Sequence, residues 1–115
     1  NQITDLSPLA GLRNLRLLNL GSNRIRDIHP LRKLTKLREL DLSDNQLEGI
    51  EDLEELAELK VLLLSDNRLR AIDVLRKFPA LAIVELSKNS FHPERDPRVN
   101  PIVRELVAGG CLVKP

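Results

Sequence analysis

Aromatic residues are almost missing from this chain: Phe78 and Phe91 stand alone, with no tryptophan and no tyrosine. That argues against a carbohydrate, nucleobase or cofactor site built on ring stacking. Cysteine is nearly absent too, and Cys111 alone excludes an internal disulfide. Excess charge of one sign is also lacking. Eighteen basic residues against seventeen acidic ones leave a net charge of +1, so no overall field draws the chain to nucleic acid or to an acidic membrane. Long apolar runs are missing as well, so no segment is expected to insert in a bilayer, and no signal peptide is read at the N-terminus. What the chain does have is leucine, in an amount and spacing that decide the rest.

The stretch Leu37 to Leu59 places apolar side chains at Leu37, Leu40, Leu42, Leu47, Ile50, Leu53 and Leu56, with one polar interruption at Asn45. The cycle restarts at Leu59 and again at Leu81, a period of 22, and it holds upstream through Leu15, Leu18, Leu20, Asn23, Ile25, Ile28, Leu31 and Leu34. A fixed period of this length marks a solenoid, in which each repeat buries its apolar side against its neighbours. At 115 residues the chain forms one unit of about four such coils, enough to enclose a core.

The LxL pieces predict short strands near 17–21, 39–43, 61–65 and 83–87, one per coil and all pointing the same way. Stacked, they make a parallel sheet on the concave side. In each strand the two template leucines face inward, and the residues between and beside them face solvent. Steps of three through 30–36, 52–58 and 74–79 predict short outer helices, 3₁₀ or a few α turns, too short to hold without packing. Ser7-Pro8 reads as a helix start with serine as N-cap. Asn1-Gln2-Ile3 matches Asn23-Arg24-Ile25, so the chain starts inside a repeat. Its N-terminal edge is expected to be open to an upstream repeat, a cap or another copy. After Phe91 the period fails. A polar, proline-rich loop leads to Asn100-Pro101, read as N-cap and first position of a helix. Gly109-Gly110 ends that helix, and 111–113 reads as a last parallel strand. Residues 1–91 are thus expected as repeats and 92–115 as a C-terminal capping helix and strand, with Cys111 a small buried residue.

Asn23, Asn45, Asn67 and Asn89 stand one per coil at the turn leaving the strand. A polar group buried there must find partners or cost about 1–3 kcal/mol. An amide can bond the backbone of its own turn and of the next coil, so these four read as a structural ladder. His29 and His92 lack a companion set with zinc-ligand spacing. Asp44 and Asp66 recur as turn formers and not as a calcium loop. No nucleophile elbow, phosphate loop or catalytic carboxylate pair appears, so neither an enzyme nor a cofactor or metal is expected. Arg24, Arg26, Arg68 and Arg70 lie along one edge. Gln46 and Glu48 interrupt them and no aromatic is interleaved, so no nucleic acid is expected as partner.

These residues resemble the 22-residue subclass of leucine-rich repeats, LxxLxLxxNxIxxIxxLxxL. That subclass includes bacterial internalin-like surface proteins and eukaryotic phosphatase-regulator-like repeats. The likeness runs from Asn1 to Phe91. The tail resembles the ends of bacterial members and not the tyrosine-containing eukaryotic cap, and the paired-cysteine caps of many secreted members are missing. The resemblance implies an α/β fold: a right-handed solenoid with a parallel concave sheet and short helices on the convex side. It also implies a protein-interaction module, without naming the partner.

The candidate binding residues are read in columns across the concave face. One column is Leu17, Glu39, Val61, Ile83. The next is Asn19, Asp41, Leu63, Glu85, with Leu112 as expected fifth member. The third, Gly21, Ser43, Ser65, Ser87, is small and leaves room for a ligand backbone. Val61, Leu63 and Ile83 are apolar where the repeat demands nothing apolar, and such a patch marks a binding site. Glu39, Asp41, Glu85, Arg38 and Lys60 rim it. The alternative is a structural spacer within a larger protein. On the convex side Arg32-Lys33, Glu54-Glu55 and Arg76-Lys77 alternate in sign, as do Lys36 and Glu58, and are expected to form ion pairs between coils worth about 0–1 kcal/mol each.

Overall fold

Leucines at LxxLxL spacing cannot all face one side of a helix, but a short strand entered from a turn presents them together. The computed structural model, which describes residues 1–114, uses that solution in every coil. Strands β1 (Leu17–Asn19), β2 (Glu39–Asp41), β3 (Val61–Leu63) and β4 (Ile83–Glu85) are followed by helix α1 (Asn100–Ala108) and strand β5 (Leu112–Lys114). The strands form one parallel sheet in chain order, with β1 and β5 at its edges. Their register repeats the sequence period: Leu18 lies beside Leu40, Leu40 beside Leu62 and Leu62 beside Val84. Backbone bonds continue the ladder past each strand, as in Leu42 N–H to Leu63 O at 2.9 Å and Leu64 N–H to Glu85 O at 3.0 Å. The return path of each coil runs on the outer side, which for parallel neighbours gives a right-handed solenoid.

The outer elements are shorter than the stepping by three predicts. Of the two forms expected they take 3₁₀, as three-residue turns at Ser7–Leu9, His29–Leu31 and Glu51–Leu53 and a five-residue segment at Asp73–Lys77, followed by further turns. Ser7 is not an N-cap. It is the first residue of its turn, and Asp5 does the capping: Asp5 Oδ1 accepts from Ser7 N–H at 2.9 Å and from Ser7 Oγ at 2.6 Å. Those two donors hold the Asp5 carboxyl below its ordinary value. Asp27 does the same for His29 N–H, at 2.9 Å. Between sheet and outer turns lies one continuous core. Leu37, Leu42, Leu47, Leu53 and Leu56 are fully buried, and the equivalent residues of neighbouring coils stack on them. Each such leucine contributes about 1.5–3 kcal/mol by leaving water.

The terminal segment departs from the sequence reading in two places. Asn100 is the first residue of α1, with Val99 before it. The Asn100 amide turns back to Glu94 O at 3.1 Å, while Asp96 Oδ1 accepts from Arg98 N–H at 2.8 Å. The helix ends as expected on its glycines. Gly110 takes φ +94, Gly110 N–H reaches Val107 O and Cys111 N–H reaches Leu106 O, the paired bonds of a Schellman ending. The last strand begins one residue later than expected, because Cys111 turns inward and is buried. Pro115, the last residue of the expected cap, lies outside the described residues.

Leaving each strand the chain must turn sharply, and it does so through a left-handed residue: Ser22 (φ 58), Asp44 (φ 55), Asp66 (φ 56) and Lys88 (φ 55). Aspartate and asparagine adopt this region readily; lysine does so at a cost. Lys88 is exposed and forms no ion pair among the described residues. Lys88→Asn should therefore stabilise the fold by about 0.5–1 kcal/mol, a rise of several degrees in Tm. Thermal unfolding followed by circular dichroism checks this, and an unchanged or lower Tm would contradict it.

Candidate protein-binding face

Strand alternation decides what the concave face displays. In β3, Leu62 is buried while Val61 and Leu63 are half-buried on the opposite side. Ile83 and Glu85 are likewise half-buried around buried Val84, and Glu39 and Asp41 flank buried Leu40. The register sets Leu17, Glu39, Val61 and Ile83 side by side, and Asn19, Asp41, Leu63 and Glu85 beside them. Leu17 is 63% exposed and Leu112 54%. Leu112, however, does not join the second column. It pairs with Ile83 in the first, and Lys114 faces Glu85 in the second, their charged groups 3.7 Å apart. Lys114 is the concave residue that sequence reasoning missed. Ile83 and Leu112 are 29 positions apart (112 − 83), not 22, so the loop and helix between them hide the register from any periodic reading.

A shallow concavity of about 220 Å³ opens on this face over β2, lined by Leu17, Asn19, Glu39, Asp41, Val61 and Leu63 with Leu18 and Leu40 beneath. Ile83 stands outside it. In the third column Ser43 donates to Asp41 Oδ1 from its N–H at 2.9 Å and its Oγ at 2.6 Å, while Gly21 N–H uses Asn19 Oδ1 at 3.0 Å.

Behind the face, the asparagines join coil to coil. Asn45 and Asn67 are each 8% exposed. Asn67 Oδ1 accepts from Leu47 N–H at 3.0 Å, and its Nδ2 donates to Leu42 O at 2.9 Å, Leu64 O at 3.2 Å and Ser65 O at 3.3 Å. Asn45 repeats the set toward Ile25 and Leu20 on one side and Leu42 and Ser43 on the other. Asn23 reaches Ile3, and Asn89 reaches Leu69 and Leu64, both from half-buried positions.

The remaining clusters gather less. On the convex side Lys33 meets Glu55 at 3.0 Å and Lys77 meets Glu54 at 2.9 Å, each pair half in water. Arg76 turns away to grip Glu105 of α1 with two bonds, 2.7 and 3.0 Å. The expected Lys36–Glu58 partnership does not form: Lys36 bonds Asn14 at 3.1 Å, and Glu58 lies 3.8 Å from Arg38. His29 faces Asp52 at 3.1 Å on the surface, and His92 Nδ1 accepts from Glu94 N–H at 3.3 Å. Of the arginine edge, Arg26 is engaged with Gln46 at 2.7 Å. A wide, open depression of about 600 Å³ lies along the terminal loop, where Arg98 pairs with Asp96 at 3.3 Å and holds its carboxyl below the ordinary range. Among the described residues no three His, Cys, Asp or Glu side chains converge as a metal set, and no helix is long and apolar enough to cross a membrane.

The family model described as leucine-rich repeats, two copies, matches residues 1–33 and 13–56. An internalin from Listeria monocytogenes superposes with a TM-score of 0.76 and 36% identity over 77% of this chain. The chain belongs to the leucine-rich-repeat proteins. Internalin C2 of the same organism gives 0.71 and 37% over 83% of the chain, and a leucine-rich-repeat protein from Leptospira interrogans gives 0.85 and 27% over all of it. The chain spans only 26%, 43% and 29% of those three structures, respectively. None of the curated proteins matches it. Leucine-rich-repeat domains generally bind proteins, and such proteins are typically not enzymes.

Two outcomes follow for this repeat protein. Asn67→Ala leaves Leu47 N–H buried without a partner and Leu42 O with Asn45 Nδ2 as its one remaining side-chain donor among the described residues, and should lower stability by about 1–3 kcal/mol, against a smaller loss for Asn23→Ala. Urea unfolding of both variants decides it, and equal, sub-kcal losses would contradict the ladder. Cys111 is 6% exposed, and burial pushes its thiol pKa up. Both effects slow thiolate chemistry. A thiol-reactive dye at pH 8 should label Cys111 slowly in the folded chain and rapidly in urea, whereas fast labelling without denaturant would place it at the surface.

Proposed function

We propose that this chain is a non-enzymatic interaction module that binds a protein partner on its concave sheet. Residues 1–91 supply the coils that build the face, and the segment from 92 onward closes the solenoid while lending Leu112 to it. The observation that carries the reading is the apolar run across adjacent strands: Val61 beside Ile83, Ile83 beside Leu112, with Leu63 next to them and Leu17 across Glu39. The fold demands an inward residue at Leu62 and Val84 but nothing apolar at Val61, Leu63 or Ile83. Their hydrophobicity serves a surface that leaves water when something covers it. The polar rim of Glu39, Asp41, Glu85 and Lys114 would fix register more than it adds affinity.

Affinity capture from the cognate cell extract with the 115-residue chain tests this. A partner should be retained by the parent and by the edge variant Arg70→Glu, and lost with Val61→Arg and Leu63→Arg, all four having the same circular dichroism. An interface of this type loses about 2 kcal/mol or more when a central apolar residue is replaced. Capture that survives both concave variants would remove the concave reading. No specific partner at all would favour a spacer within a longer protein.

A further inference from the structure

We propose that the partner seats a lysine or arginine side chain in the concavity over β2, its aliphatic stem between apolar walls and its cationic head at Glu39 and Asp41. The proposal rests on the concave-face reading and adds the chemistry of the occupant. Three carboxylates face the concave side. Glu85 already has its cation in Lys114. Glu39 and Asp41 have none within 4.0 Å among the described residues. Both sit on the central strand of the concavity, two residues apart and therefore on the same face.

Their neighbours are apolar on the side where a stem would lie. Leu17 and Val61 flank Glu39, and Leu63 lies beside Asp41. Asp41 is held in place by the two Ser43 bonds to Oδ1, which leaves Oδ2 with no protein donor among the described residues. A partner that covered this hollow with a purely apolar side chain would strand two carboxylates away from water, at a cost no contact there offsets. An acidic side chain would be repelled. Lysine and arginine alone combine a long apolar stem with a charge of the right sign. Small residues at Gly21, Ser43 and Ser65 let the partner's main chain come close enough to deliver it.

The test uses four capped peptides that differ only at the centre: acetyl-leucine-serine-X-serine-leucine-amide with X arginine, lysine, norleucine or glutamate. Each is titrated into the ¹⁵N-labelled chain. The arginine and lysine peptides should shift the amide signals of 17–19, 39–41 and 61–63, more tightly than norleucine. The double variant Glu39→Gln/Asp41→Asn, with unchanged dispersion elsewhere, should weaken them about tenfold. Norleucine binding at the same amides as tightly as arginine, or a double variant that binds arginine like the parent, overturns the cationic occupant and leaves the concave reading standing. Shifts confined to the convex residues 51–58, or no shifts with any peptide, also overturn it. The concave reading is then judged separately, by the capture experiment.

Discussion

A solenoid this thin has little room for error at the turn that leaves each strand. There the backbone of one coil must meet the backbone of the next, out of contact with water, and a run of leucines offers no hydrogen bonds. A single amide per coil resolves it, buried at Asn45 and Asn67 and half-buried at Asn23 and Asn89. Asn67 serves Leu47 N–H in the previous coil, Leu42 O in that same coil, and Leu64 and Ser65 O in its own. Because each asparagine ties its own turn to the coil before it, the coils cannot slide past one another. The register of the sheet follows from that restraint, and the columns of the concave face follow from the register.

The fold was largely legible because its determinants recur. The inward leucines, the asparagines and the strand positions repeat at 22, and each coil confirms the others. Legibility failed where a decision was made only once or by geometry finer than the period. Asp5 rather than Ser7 caps the first outer turn, because the turn starts at Ser7 itself and the exposed N–H is the serine's own, within reach of the side chain two residues upstream. The outer elements take the 3₁₀ form, one of the two expected, but stop short of the expected bounds because the coil has few residues in which to reverse. Lys114 joins the face because 29 residues separate the last two paired strands, a spacing no repeat announces. The apolar character of Val61, Leu63 and Ile83 was plain in the sequence. That Leu17, Glu39 and Asp41 frame a hollow was not, since it depends on how far neighbouring side chains leave space between them.

The two sides of the sheet answer to different demands. Inward positions are held to leucine or valine by close packing, where a lost methylene is felt. Concave positions carry no such requirement, so glutamate, valine and leucine occupy equivalent places in successive coils without disturbing the core. A surface can therefore be rewritten on this scaffold while the interior stays fixed.

The sign alternation on the convex side has a consequence for how such a chain can grow. Lys33 faces Glu55, and Glu54 faces Lys77, so the middle coil complements both of its neighbours and those two match each other; the first coil, with Ala10-Gly11 at the equivalent place, takes no part. Excising the middle coil would bring Arg32 and Lys33 against Arg76 and Lys77, like against like. Duplication by single coils would create the same mismatch, whereas copying in pairs preserves the complementarity. Across these three coils the outer surface thus distinguishes odd from even where the leucines do not, by the roughly 0–1 kcal/mol that each exposed pair is worth.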